Sequence, residues 1–218
     1  MVAVAPPGTE TAVTETTVTT LDELVAVVGE PNEVAAHKVQ DRLHDLHRQW
    51  LEASPFCVLA TSDADGNLDA SPKGDPTGQL VHVIDDVTVA IAERPGNRRV
   101  DGYRNVLSNP HVGLLFMVPG RDDTLRVNGR ARLVSDAPWF DEVAVKGRRP
   151  ILALVVDVDE VFTHCSKAFL RSRLWHPEIW EPDAVPSRAV FSHTFERKDQ
   201  SLAEVEAHYG PGYAEQLY

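Results

Sequence analysis

Two cysteines in 218 residues, Cys57 and Cys165, exclude a disulfide framework, and their wide separation offers no paired thiolate motif for a structural zinc. Cations are also scarce. Lys and Arg number 21 against 33 Asp and Glu, a net charge of -12, which argues against a nucleic-acid partner because such proteins neutralise phosphates with a cationic face. No apolar run approaches the roughly 20 residues that cross a bilayer, and the first residues lack the basic and apolar segments of a secretory signal. A cytoplasmic protein without a membrane partner is expected. What the chain does have is 43% hydrophobic residues, enough for a substantial core in one large or two small domains.

Residues 1–19, rich in Thr, Val, Ala and Pro, have no face to bury and are expected to be a disordered tail. Residues 20–54 read as a helical segment. A short helix over 21–28 has Thr20 as N-cap, Glu23 as capping-box partner, and Gly29 and Pro31 as its stop. A longer one runs from Asn32 to about Ala53, with Val39, Leu43, Leu46, Trp50 and Leu51 on one face. His44 and His47 fall one turn apart there, but without a His-Glu-x-x-His pattern they and His37 read as solvated residues, and no metal site is expected.

From Pro55 the pattern changes to short β segments divided by turn residues. Strands are expected over 56–61 and 67–72 across a tight turn, 79–84 and 87–92 across Asp85-Asp86, 111–118 and 124–134 around Pro119-Gly120, and 151–163. A helix carrying Val100, Tyr103, Val106 and Leu107 is inserted midway and ends at Asn109-Pro110, and another is expected over 138–145. Six or seven mostly antiparallel strands with an inserted helix and flanking helices predict a mainly β, α+β fold over 55–176, as a small closed or half-closed barrel that hides its edges. Residues 177–218 form an extension broken by Pro177, Pro182 and Pro186, with one more strand over 189–195 and a helix capped by Ser201 and Glu204.

Three stretches offer places for an anion. Pro95-Gly96-Asn97-Arg98-Arg99 leads into the inserted helix, where unpaired N–H groups and the helix dipole favour negative charge, although ordinary surface arginines at a helix start read the same way. Ser71-Pro72-Lys73-Gly74 supplies a hydroxyl, an ammonium and a glycine, or else a plain turn. Lys167, Arg171 and Arg173 form a second basic cluster beside Trp175, which suits an anionic ligand or a salt-bridged helix.

Taken in order, Thr61 to Gly66, Ser71 to Asp75, Pro95 to Arg99, Asn105 to Pro110, Leu125 to Ala131 and His164-Cys165-Ser166-Lys167 resemble the pyridoxamine 5'-phosphate oxidase-like flavoproteins, in particular a bacterial subgroup of FMN-binding members. The resemblance covers about residues 55–175. It implies a split β-barrel homodimer with FMN at the subunit interface. By position, Lys73 and the pair Arg98 and Arg99 would hold the phosphate, with Ser71, Pro72 and Asn97 among the cofactor-binding residues. Ala92 and Glu93 would pass the cofactor and Thr124 would approach it, Ser166 and Lys167 would reach it from the partner subunit, and Trp175 would also contact it. Asn97 stands where a hydroxyl residue is usual.

The same resemblance implies an FMN-dependent oxidoreductase moving a hydride between NAD(P)H, or a small organic substrate, and the flavin. F420 or haem are the alternative cofactors, and a flavin-binding protein without turnover is a further reading. His164 is the one candidate for a proton donor, with a structural hydrogen bond as its other reading. Where the vitamin B6 oxidases end in an Arg-x-His pair and a closing Arg-Leu, this chain finishes in Tyr209-Gly210-Pro211-Gly212-Tyr213 and Gln216-Leu217-Tyr218, so oxidation of pyridoxamine phosphate itself is not expected.

Overall fold

The computed structural model describes residues 15–216, so most of the expected N-terminal tail, together with Leu217 and Tyr218, lies outside the described residues. The chain divides into two compact units, residues 1–38 and 39–218. The first contains α1 (Leu21–Val28) and α2 (Glu33–His37). The Thr20 hydroxyl accepts from the Glu23 N–H at 3.2 Å and the Glu23 carboxylate accepts from the Thr20 N–H at 3.2 Å, the reciprocal cap read from the sequence. At the start of α2, the Asn32 side chain accepts from the Ala35 N–H at 2.9 Å.

The second unit opens with Gln40 in extended backbone, bridged in both directions to Val161 at 3.0 and 2.8 Å. That pairing breaks the single helix expected over 32–53, and α3 (Asp45–Ala53) starts only after it, burying Leu51 beside Leu43.

Seven antiparallel strands follow: β1 (Phe56–Ser62), β2 (Leu68–Gly74), β3 (His82–Val83), β4 (Thr88–Ala92), β5 (His111–Met117), β6 (Thr124–Val134) and β7 (Ala153–His164). They form one sheet in the order β2-β1-β5-β6-β7-β4-β3, with α4 (Asp101–Ser108) inserted between β4 and β5. Alternation turns Cys57, Leu59 and Thr61 of β1, Val112, Leu114 and Phe116 of β5, and Leu125 and Val127 of β6 into the core. β4 is buried at every position. Phe116 is fully enclosed, and truncating it to Ala would cost about 3–5 kcal/mol.

The sheet does not close through backbone hydrogen bonds. The edge strand β2 instead meets the exit of β4 through side chains: Lys73 of β2 lies 2.9 Å from Glu93, just past β4, and Asp75 lies 2.7 Å from Arg94. This is an α+β split barrel, the fold that the resemblance implied, and it is not closed, one of the two forms that the strand pattern allowed. A bulge at Asn128/Gly129 kinks β6 against β7.

Three local expectations change. The strand over 79–84 shrinks to His82–Val83, because the Gly78 N–H donates to the Glu52 carbonyl at 2.9 Å and Gln79 to that of Pro76 at 2.9 Å, holding a turn. The helix over 138–145 is a single 3-10 turn, Pro138–Phe140, followed by a bend at Lys146-Gly147 with φ of 51° and 73°. The last strand, over 189–195, is a helix, α6 (Arg188–Phe195), capped by Ser187 and burying Ala189 and Ser192 at helical spacing. It follows α5 (Lys167–Ser172) and packs on α7 (Leu202–His208), whose Ser201–Glu204 capping box is present. No helix among the described residues is long and apolar enough to cross a membrane.

Candidate functional site

The approach to α4 builds the site. The Asn97 side chain accepts from the Arg99 N–H at 2.9 Å, and Arg98 takes a left-handed φ of 63°, which together turn the chain sharply before the helix. Val100 is the N-cap. Its carbonyl accepts from Tyr103 and Arg104, but no side chain caps this end, so the N–H groups of Asp101 and Gly102 meet no side-chain cap. Asn97 thus closes the preceding turn instead of capping the helix.

Gly102, in the first turn, allows close approach to the sheet. A Cβ there would lie 3.0 Å from Asp69 Oδ2, 3.4 Å from Thr61 Oγ1 and 3.6 Å from Ser71 Oγ. Further along α4, Asn105 Nδ2 donates to Thr61 Oγ1 at 3.0 Å, and beyond it Asn109 Nδ2 donates to Ser62 Oγ at 2.9 Å, which fixes the helix to β1.

Between this helix start and β2 lies a cleft of about 330 Å³. Ser71, Pro72 and Lys73 line one side, and Glu93, Asn97 and Arg99 the other. At its base Lys73 Nζ contacts Glu93 Oε2 at 2.9 Å and the Tyr103 hydroxyl at 3.0 Å, while that hydroxyl donates to Glu93 Oε2 at 2.5 Å. Burial, the bond to Glu93 and the charge of Glu93 all push the Tyr103 phenol well above its usual range, so it stays a donor. Arg99 is exposed and paired with Asp101 at 2.5 Å.

The donor set suits a phosphate: an ammonium, a mobile guanidinium, a hydroxyl and an uncapped helix start converge on one opening. Opposing it are the carboxylates of Asp69, Glu93 and Asp101, two of which already hold the two cations. An entering anion therefore exchanges existing ion pairs for new ones.

Of the residues singled out in the sequence, Ser71, Pro72, Lys73, Glu93, Asn97 and Arg99 meet here. Ala92 is buried in β4 and faces a smaller cavity of about 160 Å³ with Lys73 and Arg94. Arg98 parts from Arg99 and lines a different cavity. Thr124, 2% exposed, and the exposed His164 are register partners at one end of the 12-residue β7, whereas Ala92 pairs with Ala153 at the other. On the order of 35 Å of strand separates those ends. Ser166 and Lys167 begin α5 beyond His164, and the Trp175 indole donates to the Arg121 carbonyl at 2.6 Å. None of these lines the cleft. Among the described residues no cluster of His, Cys, Asp and Glu is arranged for a metal ion.

Sequence reading missed the roles of Tyr103, Asp69 and Gly102. Tyr103 counted only as an apolar helix position, although its hydroxyl needs a partner when buried. Asp69 was detectable, since it shares a strand face with Ser71 and Lys73.

Several solved structures resemble the chain at low identity. HupZ of Group A Streptococcus is 18% identical with a TM-score of 0.44, over 56% of this chain and 93% of that one. General Stress Protein 26 of Bacillus anthracis is 16% identical with a TM-score of 0.41, over 53% and 88%. A Lactobacillus delbrueckii protein provisionally named a pyridoxamine 5'-phosphate oxidase is 25% identical with a TM-score of 0.45, over 56% and 95%. No curated protein sequence matches significantly. The family model for pyridoxamine 5'-phosphate oxidase matches residues 43–165, more than half of the sequence, and the chain belongs to that family.

Proposed function

We propose that this protein binds FMN, with the phosphate in the cleft at the start of α4, and acts as an FMN-dependent oxidoreductase between NAD(P)H, or a small organic substrate, and the flavin. The observation that carries the reading is the convergence of Lys73, Arg99 and Ser71 on a helix start that no side chain caps. Bound FMN would supply hydride chemistry, and the protein's part is binding and orientation. Arg99, now paired with Asp101, and Lys73, now paired with Glu93, would hold the phosphate. Tyr103, held protonated, keeps Glu93 and Lys73 in position. Ser71 donates its hydroxyl, and Gly102 leaves room for the anion.

Thr124, Ser166, Lys167 and Trp175 fit this reading as contributions from a second subunit, which makes the working form a homodimer with the cofactor between its copies. Their distance along β7 from the cleft supports that assignment over action within one chain.

The test is a calorimetric titration of FMN, with F420 and haem as competitors, into wild-type protein and the Lys73→Ala and Arg99→Ala variants. Each substitution is expected to weaken FMN binding roughly tenfold or more. Protein that takes up no flavin, or variants that bind FMN as the wild type does, would overturn the reading. NAD(P)H oxidation with a panel of acceptors then separates an enzyme from a carrier.

A further inference from the structure

The segment that turns into α4 has a second cavity on its far side, of about 430 Å³, sharing only Glu93 and Val100 with the phosphate cleft. Pro95, Pro150, Ile151 and Leu152 give it apolar walls, and Ile151 is 82% exposed. With Pro95, Pro150 and Leu152 it forms one continuous apolar wall of the cavity. Four arginines line the same space, Arg94, Arg98, Arg148 and Arg149, against the single carboxylate of Glu93. That local excess runs against the chain's net charge of -12.

The four are not equivalent. Arg149 is tied to Asp136 at 2.5 Å and Asp141 at 2.9 Å. Arg94 is anchored to Asp75 and to the Val143 carbonyl at 3.0 Å, yet its Nη2 is buried without a hydrogen-bond partner. Among the described residues no carboxylate within ion-pair distance meets Arg98 or Arg148. Both are aimed by turns that cost conformational energy. Arg98 is itself left-handed, and Arg148 follows the left-handed pair Lys146-Gly147, which folds back so that Val145 and Arg148 bridge.

We propose that this cavity is a second binding site, for a small organic acid with an apolar body. The apolar part lies on Pro95, Pro150, Ile151 and Leu152, and the carboxylate is held by Arg98 and Arg148, whose planar donors match it. The walls select against free phosphate, which would leave them wet while losing its own hydration. The site is distinct from the phosphate cleft, since Arg99 and Lys73 take no part in it and only Glu93 and Val100 line both.

The test uses 4-phenylbutyrate as the probe, titrated calorimetrically into the full-length protein, with 4-phenylbutan-1-ol and inorganic phosphate at matched ionic strength as comparisons. Saturable binding of the acid is expected, with none of the alcohol and no competition from phosphate. The double variant Arg98→Gln/Arg148→Gln should weaken it tenfold or more, whereas Arg99→Ala should leave it unchanged. No saturable binding of the acid overturns the proposal. So does equal binding of the alcohol, displacement by phosphate, or affinity that survives the double variant or falls with Arg99→Ala.

Discussion

Lys73 Nζ lies 2.9 Å from Glu93 Oε2, so the cation at the base of the cleft is already held by an anion of the protein itself. The two side chains are only 17% and 24% exposed, and they join the edge strand β2 to the exit of β4 across an open sheet. A ligand phosphate must share or displace that carboxylate. Glu93→Gln is therefore expected to tighten FMN binding roughly three- to tenfold, since the amide can still accept from Tyr103 but no longer competes by charge. Calorimetry decides it: affinity that is unchanged or lower in the variant means that Lys73 does not meet the phosphate.

Gly129 sits at the bulge where β6 shifts register against β7. A Cβ there would lie 2.1 Å from the Asp157 carbonyl oxygen and 3.0 Å from its carbon, both backbone atoms that cannot move without breaking the ladder. Gly129→Ala should therefore destabilise by more than about 3 kcal/mol and lower Tm by on the order of 10 °C. A thermal melt within about 2 °C of wild type would mean that the strands slide to make room.

Much of this was legible in the residues and some was not. The caps at Thr20, Asn32 and Ser201 were readable because each is a local contract between a side chain and a nearby N–H. The antiparallel strands were readable through turn residues and alternation. Longer-range competition was not. Gln40 gives no local sign that it pairs with Val161, and residues 188–195, with their Val, Thr and Phe, suit a strand until Ser187 caps them and Val205 offers a face to bury against. Of the candidate site, Lys73 and Arg99 were singled out from the order and spacing of their motifs, and the structure brings both to one cleft. The separation of Arg98 from its neighbour depends on one left-handed backbone angle that the sequence does not announce, since most such positions carry glycine.

The two thiols should differ sharply in reactivity. Cys57 is fully enclosed beneath Lys73, and burial pushes its thiol up to about 12, with Lys73 opposing only weakly, whereas Cys165 is exposed. The thiolate is the nucleophile, so a disulfide reagent at pH 8 should label one thiol per native chain, Cys165, and reach Cys57 only on unfolding. The sign of the linkage follows. The unfolded Cys57 ionises near its ordinary value of 9.0 while the folded one does not, so stability is whole below that pH and is lost as pH rises toward about 12. Cys57→Ala should remove this part of the alkaline loss. Prompt native labelling of both thiols would show that the barrel opens at Cys57.

Asp75 and Arg94 form the second tie across the open sheet, at 2.7 Å, with side chains 2% and 13% exposed. Arg94 also donates to the Val143 carbonyl, so one guanidinium holds the exits of β2 and β4 against the turn that follows Phe140. Removing the carboxylate strands a largely buried cation. Asp75→Ala is expected to cost about 3–5 kcal/mol, whereas replacing both partners with apolar residues of similar size, Asp75→Leu with Arg94→Met, should recover much of that loss. Stability by urea unfolding separates the cases. A small effect in the single variant would mean that water reaches the pair. A double variant that recovers stability but leaves FMN affinity weakened would show that the tie serves chiefly to position the loop of Asn97 and Arg99.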